Sequence, residues 1–128
     1  VAALRELTGR IPKSLNVDLN LRGLAAPLPS LLAIAVYRIV QELLNNVMRH
    51  AQAQEVFVQV SREDDQLYLS VEDDGGGMEP SQASQAGKGG IGLAGIRTRV
   101  GLLGGTFTIN SRLGRGTGVF LQVPVPAA

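Results

Sequence analysis

The sequence contains no cysteine and no tryptophan, a single histidine, and only five aromatic residues: Phe57, Phe107, Phe120, Tyr37 and Tyr68. Without cysteine there are no disulfides and no thiolate metal sites. One histidine, His50, cannot build a histidine-based zinc site alone. With so few aromatics, aliphatic side chains must fill the core. No apolar run is long enough to span a bilayer, because Arg38 and Gln41 interrupt the best candidate. The N-terminus shows no signal-peptide pattern. Neither sign of charge dominates. Twelve basic and eleven acidic residues give a net charge of +1 and are mixed along the chain, so no direct nucleic-acid partner is indicated. What remains suits one soluble, cytoplasmic domain: 128 residues, 45% hydrophobic and 18% charged.

Hydrophobic periodicity organises the chain. Residues 1–10 read as the end of a helix, with Leu4 and Leu7 as its apolar positions. From Leu15 to Arg22 apolar and polar residues alternate strictly, as in a half-buried strand. Gly23 to Pro29 reads as a turn and loop. Ser30 suits the N-cap of a long helix. On that helix Leu32, Val36, Ile39, Val40, Leu43 and Val47 share the core-facing stripe. Glu42, Asn46, Arg49 and His50 share a different one. Glu55–Ser61 and Leu67–Glu72 read as a hairpin turning at Glu63-Asp64-Asp65. Residues 78–90 offer little to bury and read as a mobile loop. A second helix follows, with Leu93, Ile96, Val100 and Leu103 inward and Gly104-Gly105 at its end. Strands near Thr106–Ser111 and Thr117–Val123 close the chain, with Gly114-Arg115-Gly116 between them and Pro124 and Pro126 ending the pairing. There is no internal repeat. The predicted architecture is α/β: a two-layer sandwich, its mixed, mostly antiparallel sheet carrying helices on one face.

Four stretches hold residue types suited to chemistry. Glu42-Leu43-Leu44-Asn45-Asn46 places a carboxylate one turn before an amide, and two consecutive asparagines weaken a helix interior. An amide oxygen can ligate a hard cation such as Mg²⁺, which commonly bridges protein oxygens, water and phosphate. Glu42 could hold a metal-bound water or polarise a nucleophile. Asp73-Asp74-Gly75-Gly76-Gly77 ends a strand. Its glycines let a flat ring approach closely, and a carboxylate there can accept a hydrogen bond from an exocyclic amine. Gly87-Lys88-Gly89-Gly90-Ile91-Gly92-Leu93 opens a helix, where backbone N–H groups and the helix dipole suit phosphate. It is not a P-loop, because Gly89 follows Lys88 where Ser or Thr is needed. It is not a Rossmann fingerprint, because a polar loop and not a strand precedes it. Finally, Thr117 after Gly114-Arg115-Gly116 could reach a base nitrogen directly or through water. Taken singly, each stretch has an ordinary explanation: a solvated helix face, an acidic turn, a flexible linker, a β-branched residue starting a strand.

Together and in this order, they resemble the ATPase superfamily shared by type II gyrases, the large ATP-driven chaperones, mismatch-repair ATPases and histidine kinases. The resemblance covers roughly residues 15–125. Glu42 to Ala51 resembles the N box, Val71 to Met78 the first glycine box, Gly87 to Gly95 the second, and Gly114 to Val119 the last glycine and threonine box. Arg49-His50-Ala51 and Gly92-Leu93-Ala94-Gly95-Ile96-Arg97 are similar to one class of histidine kinases, whose response regulators carry helix-turn-helix outputs.

The resemblance implies a Bergerat-type ATP-binding fold that uses ATP and Mg²⁺. Asn46 would ligate the metal, and Glu42 would polarise the attacking group. Asp73 would accept the adenine amino group while Gly75 and Gly77 let the chain pass the base. Gly90 and Gly92, with Lys88, Ile91 and Leu93 of the same box, would face the phosphates. Thr117 would support the adenine pocket, and Arg49 and His50 would touch phosphate or ribose. It further implies that residues 1–12 end a linker helix from an upstream dimerisation domain, with the catalytic domain at 13–128. That helical domain would carry the phosphoacceptor histidine, since His50 lies in the N box. The implied parent is homodimeric, open to membrane anchoring, and signals to a cognate response regulator. Two other readings share these residues: a serine kinase of the anti-sigma-factor type, and a non-catalytic nucleotide-binding signalling module. Intact Glu42, Asn46 and Asp73 argue against the second.

Overall fold

A computed structural model describes residues 2–9, 15–25, 28–48, 54–75, 93–112 and 116–126. In chain order they form α1 (Ala2–Gly9), β1 (Asn16–Arg22), α2 (Ser30–Asn46), β2 (Glu55–Glu63), β3 (Gln66–Asp73), α3 (Leu93–Leu102), β4 (Thr106–Arg112) and β5 (Gly116–Pro124). The strands make one sheet in the order β1-β2-β3-β5-β4. β1 runs parallel to β2, and the other neighbours are antiparallel. The expected mixed, mostly antiparallel sheet is therefore present. The parallel pair requires a crossover, which α2 supplies.

Register decides which side chains meet. Leu19, Val58, Val71, Val119 and Ile109 form one cross-strand row, and Leu21, Val60, Leu69, Leu121 and Phe107 the next. These rows face the helices and belong to a single apolar cluster, joined by Leu4 and Leu7 of α1, by Ile96 and Val100 of α3, and by α2. Among the described residues nothing covers the opposite face, where Phe57, Tyr68 and Phe120 are well exposed. Helices thus cover one face only, as the alternation in the strands requires.

The six core positions expected on this helix are all buried, five of them on α2 and Val47 just past its end. Leu44 is buried as well, at 1% exposure. Ser30 is not the N-cap. The helix begins at Ser30, Pro29 occupies the cap position without a side-chain bond, and the Pro29 carbonyl accepts the first helical hydrogen bond from Ala33 at 2.9 Å. Proline fits there because its φ is preset and that position needs no N–H.

α3 stops as Gly104-Gly105 predicts. Gly104 adopts φ +78°, the Gly104 N–H donates to Gly101 O and the Gly105 N–H to Val100 O, the pairing of a Schellman cap. Ile96 and Val100 are buried and Leu103 is partly so. The β2–β3 hairpin turns through Asp64 and Asp65, with Glu63 and Gln66 paired across it. Asp64 takes φ +56°, which aspartate tolerates better than most residues. No helix among the described residues is long and apolar enough to cross a membrane.

Candidate functional site

The apolar rows on the covered face give way at one end to a mixed one. Val17, Val56, Asp73, Thr117 and Ser111 stand in register there. β3 alternates Leu67, Leu69, Val71, and the next position of the same phase is Asp73. β5 alternates Val123, Leu121, Val119, and the next is Thr117. The sheet therefore sets a carboxylate and a hydroxyl side by side at the edge of its own core, half-buried.

Asp73 is closely held. Its Oδ1 accepts the Gly75 N–H at 2.9 Å, which folds the chain back directly after the strand, and the Thr117 N–H also donates to this carboxylate. Burial raises the Asp73 pKa above its ordinary 3.8. The two backbone hydrogen bonds oppose that rise, and the neighbouring charge of Asp74 adds to it. The result is a desolvated acceptor with fixed orientation, suited to a hydrogen-bond donor on a flat ligand.

Gly116 makes this arrangement possible. It adopts φ +85°, and a Cβ there would lie 2.1 Å from the Asp73 carbonyl oxygen and 3.3 Å from the Asp74 Cα. Backbone, not a flexible side chain, occupies that space, so only glycine lets β5 approach β3 at this point. On the other flank, Asp74 Oδ1 accepts the Gln54 and Glu55 N–H groups, each at 2.9 Å. Those two donors hold the Asp74 carboxyl below its ordinary range. The sequence alone points to no role for Gly116 or Asp74. Each lies inside a recognised motif, but the contact that matters is distant in sequence.

A depression of ≈310 Å³ lies nearby. Glu72, Asn110, Gly118 and Phe120 on its wall belong to the open face of the sheet by strand alternation. Asp73, Gly116 and Thr117 line it as well, so it opens beside the end of β3 that carries Asp73.

The other expected site residues divide in two. Glu42 and Asn46 lie one turn apart near the end of α2, both partly buried. Arg49, His50, Gly77, Lys88, Gly90, Ile91 and Gly92, and the loop expected over residues 78–90, lie outside the described residues, as does the side chain of Leu93.

Comparison with known proteins places the chain in a family. Residues 32–127 match the family described as Histidine kinase-, DNA gyrase B-, and HSP90-like ATPase. The chain is 35% identical over 92 residues to the signal transduction histidine-protein kinase/phosphatase DegS of Bacillus subtilis, covering 72% of this chain and 24% of that protein. It is 42% identical over 91 residues to UhpB of Salmonella typhimurium, also a signal transduction histidine-protein kinase/phosphatase, covering 71% of this chain and 17% of that one. The chain thus spans about a quarter or less of these relatives. In fold it is similar to the ATP binding domain of PrrB from Mycobacterium tuberculosis, with a TM-score of 0.70 at 19% identity, covering 98% of this chain and 90% of that one. The chain belongs to the histidine kinase-, DNA gyrase B- and HSP90-like ATPase family, as an ATP-binding catalytic domain of the histidine kinase type.

Proposed function

We propose that this domain holds ATP·Mg²⁺ between α2, the turn after β3 and the segment around residues 78–90, and transfers the γ-phosphoryl group to a histidine on a separate helical dimerisation domain of its parent. The observation that carries this reading is Asp73: a half-buried carboxylate, oriented by Gly75 and Thr117 N–H groups, at the end of an otherwise apolar face. Such an acceptor matches the exocyclic amine of adenine in charge and shape.

The donor set on α2 fits the metal. Asn46 offers a neutral amide oxygen and Glu42 a carboxylate one turn away, which suits Mg²⁺ shared with phosphate oxygens and water. Asn46 holds the ion and Glu42 polarises the incoming nucleophile. Gly75 and Gly77 give the base room, and Thr117 backs the adenine pocket. Arg49 and His50 meet phosphate or ribose, and Gly90 and Gly92, with Lys88, Ile91 and Leu93, meet the phosphates. The bound nucleotide and ion supply the transferable group and the neutralising charge; this chain supplies positioning. The catalytic unit runs over residues 13–128. Residues 1–12 end a helix from the dimerisation domain, anchored by Leu4 and Leu7. The parent is a homodimer and passes phosphate to a cognate response regulator.

The test joins the domain to its native upstream helices and supplies γ-labelled ATP. Acid-labile, alkali-stable label on those helices is expected. Acid-stable phosphoserine on a partner would overturn the reading in favour of a serine kinase.

A further inference from the structure

Asp73 needs more than its own two hydrogen bonds to present a carboxylate in one orientation. The peptide that follows it must also be fixed, because β3 ends at Asp73 and the chain turns at once through Gly75. Asp74 does this. Its N–H donates to the Glu55 carbonyl at 3.2 Å, and its Oδ1 accepts from Gln54 and Glu55, each at 2.9 Å. Three hydrogen bonds thus tie one residue to two consecutive residues at the start of β2. Gln54 is tied in turn to β1, because its carbonyl accepts the Asn16 N–H at 2.8 Å. β2 is therefore anchored on both sides where Asp74 grips it. The opposite flank of Asp73 is the close approach of β5 at Gly116. The backbone carrying Asp73 sits between two fixed walls, and the Asp74 carboxylate makes one of them.

We infer that Asp74 is a positioning residue for base recognition: its carboxylate locks the strand end to Gln54 and Glu55, and so sets where the Asp73 carboxylate meets the six-position substituent of a purine. The inference rests on the adenine assignment of Asp73 made above. It assigns Asp74 no contact with the nucleotide. The chemistry required of Asp74 is an acceptor oxygen, not a charge. An asparagine preserves that oxygen, and an alanine hands the two solvent-exposed N–H groups to water and frees the strand end.

The test compares ATP with purine riboside triphosphate, which lacks the six-amino group, each binding the chain in the presence of Mg²⁺. In the wild type ATP is expected to bind about tenfold or more tightly, the worth of one hydrogen bond to a charged acceptor. Asp74→Ala is expected to bring that ratio to within about threefold of unity, while Asp74→Asn keeps it within about twofold of wild type. A variant that merely lowers the folded fraction reduces the number of sites and leaves the ratio untouched, so the ratio separates positioning from damage. Asp74→Ala with wild-type discrimination, or Asp74→Asn with none, overturns the inference. If Asp74→Ala does not fold, hydrogen exchange of the wild type decides: Gln54 and Glu55 amides protected without nucleotide support the clamp, and exchange at the rate of open chain overturns it. A wild type that binds neither nucleotide defeats the functional reading itself, and one that binds both equally defeats the assignment of Asp73.

Discussion

Asp73 occupies a position that the alternation of β3 would give to an aliphatic side chain, and its ionised form is disfavoured by that burial. The sign of the effect on stability follows. A carboxyl whose pKa is higher folded than unfolded binds more protons in the folded state between the two values, so stability falls as pH rises through that window. Asp73→Asn removes the penalty. At neutral pH the variant should melt no lower than wild type, yet bind ATP roughly 10- to 100-fold more weakly, because its amide can present a donor to the adenine amino group. Wild-type affinity in Asp73→Asn would remove the adenine assignment. In the wild type, ATP affinity should decline with falling pH above the ordinary carboxylate range. Gly116 argues from geometry alone. Gly116→Ala must hold φ near +85° and displace the Asp73 carbonyl, which should cost about 2 kcal/mol in denaturant unfolding and weaken ATP binding as well. Unchanged stability would show that β3 and β5 separate there at no cost.

At the scale of elements, much was legible because burial imposes a period. The core positions of α2 follow from helical spacing, and the phase of β3 and β5 already places Asp73 and Thr117 on the covered face. Leu44 escaped because its neighbour Leu43 completes the stripe, and only the packing around the last turn of α2 shows that two adjacent leucines are both enclosed. Ser30 does not cap α2, because Leu28-Pro29 already delivers the chain in extended form, one residue earlier than the hydroxyl would require. The Asp74 clamp was out of reach, since it joins residues nineteen and twenty apart and pattern reading sees only neighbours. Two substitutions on α2 separate its roles. Ile39→Ala, at 1% exposure, should lower unfolding stability by about 2–5 kcal/mol; a loss within error would mean that α2 does not carry the core. Asn46→Asp should disturb Mg²⁺-dependent ATP binding more than metal-free binding, because it adds charge where a neutral oxygen is used beside phosphates. Equal shifts in calorimetric titrations with and without Mg²⁺ would remove Asn46 as a ligand.

Among the described residues one apolar cluster is reached by α1, α2 and α3, and the other face of the sheet is bare. That economy suits the proposed task of holding a nucleotide in place while another domain brings the acceptor. His50 is the chain's one histidine, and it follows the proposed metal ligand Asn46 by four positions in the sequence. In-line attack needs open, aligned access to the γ-phosphate, which the ion and its ligands would occupy. The domain alone should therefore bind ATP without acquiring phosphohistidine, and should phosphorylate a supplied dimerisation domain slowly, because tethering is lost. The most direct measurement mixes the chain, γ-labelled ATP, Mg²⁺ and the parent's helical dimerisation domain, and follows acid-labile phosphate on each polypeptide. The account predicts label on the dimerisation domain alone, partly retained with His50→Gln and abolished when the partner's acceptor histidine is replaced. Acid-labile label on this chain by itself, lost in His50→Gln, would contradict it.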